Sequence, residues 1–204
     1  LVHVYGVPRL YKKTGRFSVF VNQIVPAGEG ALRLALEKLK SKLEKEGLFD
    51  TARKRLLPIF PENIGLITAK GSDAYNDFVK VLKDRMGGLK IQFCPVSVQG
   101  KDATGTIISA FGYLNKHHPE LDLIVLTRGG GSLEDLQPFN DEGMARAIFS
   151  SKIPVVSAVG HEANISVADL VADVRASTPT DAGEQIVRDR VDVVKEINFF
   201  TKNI

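Results

Sequence analysis

The apolar positions change their spacing several times along the chain, and each change marks an element. Val2-His3-Val4-Tyr5-Gly6 and Phe17-Ser18-Val19-Phe20-Val21 flank a turn at Lys13-Thr14-Gly15, which predicts two strands. Two strands alone bury little in water, so this hairpin is expected to belong to a larger β module. Pro26 and Gly28 break the pattern; Leu32, Ala35, Leu36, Leu39 and Leu43 then recur at helical spacing until Gly47. Beyond Pro61 short apolar runs alternate with amphipathic ones. Residues 64–68, 89–98, 123–126 and 153–159 read as strands. Residues 72–85, 104–116, 140–150 and 167–174 read as helices, the first capped by Ser72. Apolar strands alternating with helices predict an α/β class: an open, mainly parallel sheet of about four or more strands flanked by helices. The last residues, 191–204, stop inside a helical pattern, and no Met opens the chain, so the sequence reads as a piece of a longer protein.

Composition narrows the setting. Hydrophobic residues at 44% and charged residues at 25% suit a water-soluble domain. No apolar run approaches the roughly 18 residues of a membrane span, and no signal-peptide pattern opens the chain, so a cytoplasmic protein off the membrane is expected. Cys94 is the lone cysteine, so no internal disulfide forms; within Ile91-Gln92-Phe93-Cys94 it reads as a buried strand thiol. A net charge of +3 permits nucleic-acid binding without demanding it. Basic residues from Lys38 to Lys45 alternate with Glu37, Glu44 and Glu46 and read as a solvated helix face. Arg53-Lys54-Arg55 reads either as a phosphate grip or as an exposed turn.

In an open parallel sheet ligands bind beyond the carboxyl ends of the strands. Four turns fall there: Ala69-Lys70-Gly71-Ser72, Gln99-Gly100-Lys101-Asp102, Arg128-Gly129-Gly130-Gly131-Ser132 and Gly160-His161-Glu162. They carry glycine, hydroxyl and charge rather than bulky apolar groups. Arg128 can give a phosphate two parallel hydrogen bonds, and the glycines let backbone N–H groups come close to it. A helix start after them would add its positive end. Neither the P-loop pattern nor the dinucleotide glycine fingerprint is present. His161 is the histidine placed at a strand end, suited to proton transfer near neutral pH; Glu162 beside it reads either as fixing its tautomer or as pointing away into the core edge. His117 and His118 close a helix and read as surface residues. Glu134, Asp135, Asp141, Glu142, Asp169 and Asp173 offer carboxylates for metals, but Asp169 and Asp173 are i, i+4 on a short expected helix and Glu134 with Asp135 read equally as helix caps; zinc-site spacing is absent. Thr178-Pro179 reads as a cap followed by a first-turn proline, or with Arg175 as a phosphate contact.

These residues match a known pattern. Residues 128–136, Phe139-Asn140, residues 153–162, Ala168-Asp169 and residues 172–180 strongly resemble the large-subunit family of exodeoxyribonuclease VII. Gly47-Leu48-Phe49-Asp50, Leu57-Pro58, residues 64–68 and Val98-Gln99-Gly100 extend the resemblance over nearly the whole chain. The resemblance implies three parts: the last strands of an OB-fold over residues 1–27, an α/β catalytic domain over 28–185, and from 186 to 204 the start of a long helical region that binds several copies of a small subunit. Most of that binding region would lie outside this chain. It implies exonucleolytic cleavage of single-stranded DNA from both ends to short 5′-phosphorylated oligonucleotides, in DNA catabolism and repair, with no strict metal requirement though magnesium matters in some members. By motif the catalytic positions are Asp77, Arg128, His161 and residue 164. Gly129, Gly130, Gly131, Ser132, Glu162, Arg175 and Thr178 are the accompanying phosphate or DNA contacts. The family pattern Gly-His-Glu-Thr-Asp is here Gly160-His161-Glu162-Ala163-Asn164. Asn164 accepts a hydrogen bond but carries no charge and takes no proton. Either Glu162 or Asp169 substitutes for the lost carboxylate, or the domain binds DNA without cutting it well. A small-molecule phosphate or nucleotide enzyme is the remaining alternative, opposed by the missing cofactor fingerprints.

Overall fold

The computed structural model describes residues 2–11, 14–26, 29–130, 134–161 and 164–202. They form two compact units, Leu1–Lys45 and Glu46–Ile204.

In the first unit β1 (Val2–Tyr11) pairs antiparallel with β2 (Arg16–Pro26), both longer than their apolar alternation suggests. The pairing slips at Tyr5/Gly6, where a side chain on Gly6 would meet the Phe20 carbonyl oxygen at 2.5 Å. Gly15 takes a positive φ of 66° in the connecting turn. Val4, Tyr5, Val7, Phe17, Val19 and Phe20 are all exposed. Helix α1 (Glu29–Lys45) follows.

The second unit is the α/β domain. Its chain order is β3 (Asn63–Thr68), α2 (Asp73–Arg85), β4 (Lys90–Pro95), α3 (Ala103–His117), β5 (Leu123–Thr127), α4 (Glu142–Ser150), β6 (Val155–Ala158), α5 (Val167–Val171), β7 (Val174–Arg175), α6 (Pro179–Ile186) and α7 (Arg190–Lys202). All five strands run parallel in the order β4-β3-β5-β6-β7. The chain steps from β3 to one side and returns to β5 on the other, so the crevice where the winding reverses lies between β3 and β5. On one face Ile64, Leu66, Leu123, Val125 and Val156 pack under Phe78 and Leu82 of α2 and Ala182 and Ile186 of α6. The two helices approach closely: a side chain on Gly183 would lie 2.8 Å from Val81. On the other face α3 comes so near β3 that a Cβ on Gly65 would meet Leu114 at 3.1 Å.

The structure departs from the sequence reading in four places. Strand β4 ends at Pro95, which has no N–H to extend the ladder, and β6 begins only after Pro154. Helix α4 starts later than expected because Asn140 ends a 3-10 turn (Glu134–Phe139), and the Asp141 carboxylate caps α4 by accepting the Met144 N–H at 3.0 Å. Residues 167–174 are not one helix. Helix α5 stops at Val171, and Val174–Arg175 adds a fifth strand to the sheet. Asp173 makes that break: its N–H donates to the Val155 carbonyl, and its carboxylate accepts the Val155 N–H at 2.8 Å.

The fourth departure is Arg53-Lys54-Arg55, for which a phosphate grip and an exposed turn were the two readings. Arg55 makes a two-pronged pair with Asp173 at 3.0 and 2.7 Å and donates to the Ser151 carbonyl. Arg53 donates to the carbonyls of Leu48 and Val171 and lies over the Phe149 ring at 4.3 Å. Both arginines clamp the amino ends of β6 and β7, at the sheet edge opposite the glycine turns.

Candidate active site

The carboxyl ends of β5 and β6 are stitched together by side chains as well as backbone. Thr127 donates its hydroxyl to the Ala158 carbonyl at 3.2 Å. The Arg128 N–H donates to the same carbonyl at 3.4 Å, and Arg128 Nε donates to the Val159 carbonyl at 3.3 Å. The side chain of Arg128 is thus fixed to the residue two before His161. The arginine turn and the histidine turn occupy one edge, side by side.

Arg128 is only 6% exposed. Burial lowers its pKa, and the nearby charges of Asp135 and Asp169 pull the other way. A guanidinium remains charged under such pressure. With Nε committed to Val159, Nη1 and Nη2 are the nitrogens left to meet a ligand. At Gly129 and Gly130 a Cβ would meet nothing within 4 Å, and neither residue has positive φ. Packing therefore does not require glycine at these positions; close approach of a ligand would. Gly131 and Ser132 lie outside the described residues. The chain resumes in the 3-10 turn, so the first α-helical N-terminus after the glycines is that of α4.

His161 is exposed. Its carbonyl accepts two donors, the Asn164 N–H at 2.9 Å and Arg175 Nη2 at 3.1 Å. Arg175, read from sequence as a phosphate contact, here braces the histidine turn. Its Nε is buried without a hydrogen-bond partner. Asn164 is exposed, and Glu162 and Ala163 lie outside the described residues. Thr178 caps α6 by accepting the Asp181 N–H at 3.0 Å, with Pro179 in the first turn. Asp77 is exposed on the second turn of α2, and no hydrogen bond or ion pair links it to Arg128 or His161. His118, at the far end of α3, pairs with Glu120 at 3.0 Å.

Several contributors were not legible as such. Asp169, counted among possible metal carboxylates, is buried and accepts hydrogen bonds from Ser157 Oγ at 2.6 Å and from Ser166 N–H and Oγ. Asn140 Oδ1 accepts the Val167 N–H at 2.9 Å, holding the start of α5. The Thr68 hydroxyl, fully buried at the carboxyl end of β3, has no partner. Lys70 is exposed in the turn after β3, beside the crevice, and Lys101 in the turn after the edge strand β4, on its rim.

Magnesium takes about six oxygens in near-octahedral array. Among the described residues no group of three or more His, Cys, Asp or Glu side chains could hold a metal ion. Both Asp169 oxygens are already engaged by serines. The described residues thus offer no ready-made cage for a metal ion, although magnesium is commonly held by only one or two carboxylates together with substrate phosphates and waters. Among the described residues, too, no helix is long and apolar enough to cross a membrane.

A parallel sheet with a reversal crevice, a buried arginine beside it and an exposed imidazole on the next turn define an α/β domain with a polar carboxyl edge. The family model for "Exonuclease VII, large subunit" matches residues 48–204, and the chain belongs to that family. It is 43% identical over 202 residues to the exodeoxyribonuclease 7 large subunit of Halothermothrix orenii, covering 98% of this chain and 50% of the relative. The proteins of the same name from Alkaliphilus oremlandii and Hamiltonella defensa are 43% and 47% identical, over 98% and 92% of this chain and 48% and 42% of their own lengths. The chain thus spans about half the length of the curated relatives it matches.

Proposed function

We propose that this chain carries the phosphodiester-hydrolysing part of an exodeoxyribonuclease that acts on single-stranded DNA from both ends and releases short 5′-phosphorylated oligonucleotides. The observation that carries this reading is the hydrogen bond from Arg128 to Val159, which sets a buried cation against the turn that presents His161. A phosphate seated there meets the terminal nitrogens of Arg128 and the backbone of Gly129 and Gly130, with Gly131 and Ser132 as further contacts by motif. These donors stabilise the extra charge of the pentavalent transition state. His161 moves a proton, orienting water or protonating the leaving oxygen. Asp77 orients the water or the imidazole from α2. Asn164 contributes hydrogen bonding alone, Glu162 has the role of fixing the tautomer of the imidazole, and Arg175 and Thr178 contact the strand beyond the scissile bond. No step requires a protein-bound metal; added magnesium would act on the DNA itself.

In this reading residues 1–27 close an OB-fold, 28–185 form the catalytic domain, and 186–204 begin the helical region on which several copies of a small subunit assemble. The whole acts in the cytoplasm. A second reading is favoured by Asn164: without the carboxylate of the family pattern, the same crevice binds single strands and cuts them poorly.

The test is end-labelled single-strand cleavage by the full-length protein assembled with its small subunit, with and without chelator. Arg128→Ala should lose about 100- to 1,000-fold in rate and His161→Ala at least about 100-fold, while single-strand binding persists. Near-parental cleavage by either variant removes that residue from the mechanism. An inactive parent that still binds DNA selects the second reading.

A further inference from the structure

Among the described glycines in the carboxyl-edge turns, Gly160 alone has no room for a side chain. A Cβ there would overlap the Asn164 carbonyl oxygen and lie 2.5 Å from Asp169 Oδ2. The Asp169 carboxylate therefore lies directly against the backbone from which His161 projects. Its other contacts reach two further elements. Oδ1 accepts the hydroxyl of Ser157 in β6 at 2.6 Å; Oδ2 accepts the N–H and hydroxyl of Ser166, the cap of α5, at 2.9 and 2.7 Å. The group is 1% exposed, and its negative charge acts on Arg128.

A capping box with Ser166 at the start of α5 accounts for the bond from the Ser166 N–H to Oδ2, but not for the Ser157 hydroxyl on Oδ1 or the contact with Gly160. A serine hydroxyl alone caps a helix, and burying an ionised carboxylate is costly unless a cation or several donors compensate it. Asp169 has the donors, and its carboxylate also acts electrostatically on the Arg128 guanidinium. Val159, which anchors Arg128, and Gly160 follow directly on β6, so both contacts belong to one edge.

We propose that Asp169 is the positioning carboxylate of the site: it fixes the Gly160–His161 turn through direct packing and holds Arg128 in place by charge, without touching the substrate. Its consequence for cleavage rests on the function proposed above; its consequence for Arg128 does not.

The experiment compares the full-length protein with its Asp169→Asn variant, which keeps shape and an acceptor but removes the charge. With arginine labelled by nitrogen-15, the Arg128 Nε–H resonance should shift and exchange faster with solvent in the variant, while the melting temperature stays within about 4 °C of the parent. Cleavage should fall about 100-fold with oligonucleotide affinity changed less than about threefold, the mark of orientation rather than binding. Should Asp169→Asn not fold, Ser157→Ala takes its place, since it frees Oδ1 and should move the same resonance. An unmoved Arg128 resonance in the variant that folds overturns the proposal. If the parent cuts no single strand, the function above fails, and the resonance still decides the role of Asp169.

Discussion

At Gly160 a single methyl group separates a closed turn from an open one. Alanine there must push Asn164 or Asp169 aside, so Gly160→Ala should cost about 1–3 kcal/mol of stability and slow cleavage. Denaturant titration and the labelled-strand assay check the two effects. Gly129→Ala meets no protein atom, so it should leave stability unchanged and affect catalysis alone. Equal stability losses in the two variants would contradict the distinction. Residues whose partners are near in sequence were readable in advance. Ser72 caps α2 three residues before Tyr75, and Thr178 caps α6 three residues before Asp181. Residues defined by distant partners were not. Asp169 looks like any helix-start carboxylate until Ser157, 12 residues earlier on another strand, lies against it. Arg175 looks like a free cation until its guanidinium meets the His161 carbonyl. Cys94 was readable because its apolar neighbours already specify a strand. Burial pushes its thiol pKa up, so it should react slowly with thiol reagents in the native protein and quickly in denaturant.

At the level of elements the sheet was legible where its strands are long and apolar, and illegible where two residues sufficed. Strand β7 is too short to show an alternation. What makes it a strand is the clamp between Asp173 and Arg55, residues 118 positions apart. Burial alone would raise the Asp173 pKa, but the Arg55 side chain and the N–H groups of Arg55 and Val155 overcome it, and the net shift is downward. A depressed folded-state value means the clamp contributes fully above the unfolded carboxylate value of about 3.9 and fades as pH falls through the folded one. Asp173→Asn should therefore destabilise the domain by about 3 kcal/mol at pH 7, where the parent is ionised. The gap between parent and variant in urea midpoint should narrow below about pH 4. A gap that widens on acidification would refute the assignment. Because the clamp lies at the amino edge, the folded variant should keep its cleavage rate, which separates this carboxylate from Asp169.

For the whole molecule, the sequence order of elements could not disclose the spatial order of strands. Alternation predicts a parallel sheet, but only the pairing of β3 with both β4 and β5 shows where the winding reverses. That reversal ranks the four carboxyl-edge turns, bringing Lys70 and Arg128 to the crevice itself and Lys101 to its rim. It also separates the cations into two populations. Lys70, Lys101 and Arg128 lie on the carboxyl edge, whereas Arg53 and Arg55, with Lys54 between them in sequence, lie on the amino edge, and the two arginines serve the fold. With a net charge of only +3, affinity for a polyanion must come from local cations rather than from the overall field. Each phosphate neutralised on a single strand releases counterions and adds about −0.7 to the slope of log affinity against log salt. Lys70→Ala and Lys101→Ala should each make that slope shallower by about 0.7 while the rate at saturating DNA stays near the parental value. Lys54→Ala should leave the slope unchanged. The measurement is oligonucleotide binding by the full-length protein at several salt concentrations. A slope that responds to Lys54 and not to Lys70 would move the path of the DNA to the opposite edge, and with it the assignment of Arg128 and His161 as the groups that act on the phosphate.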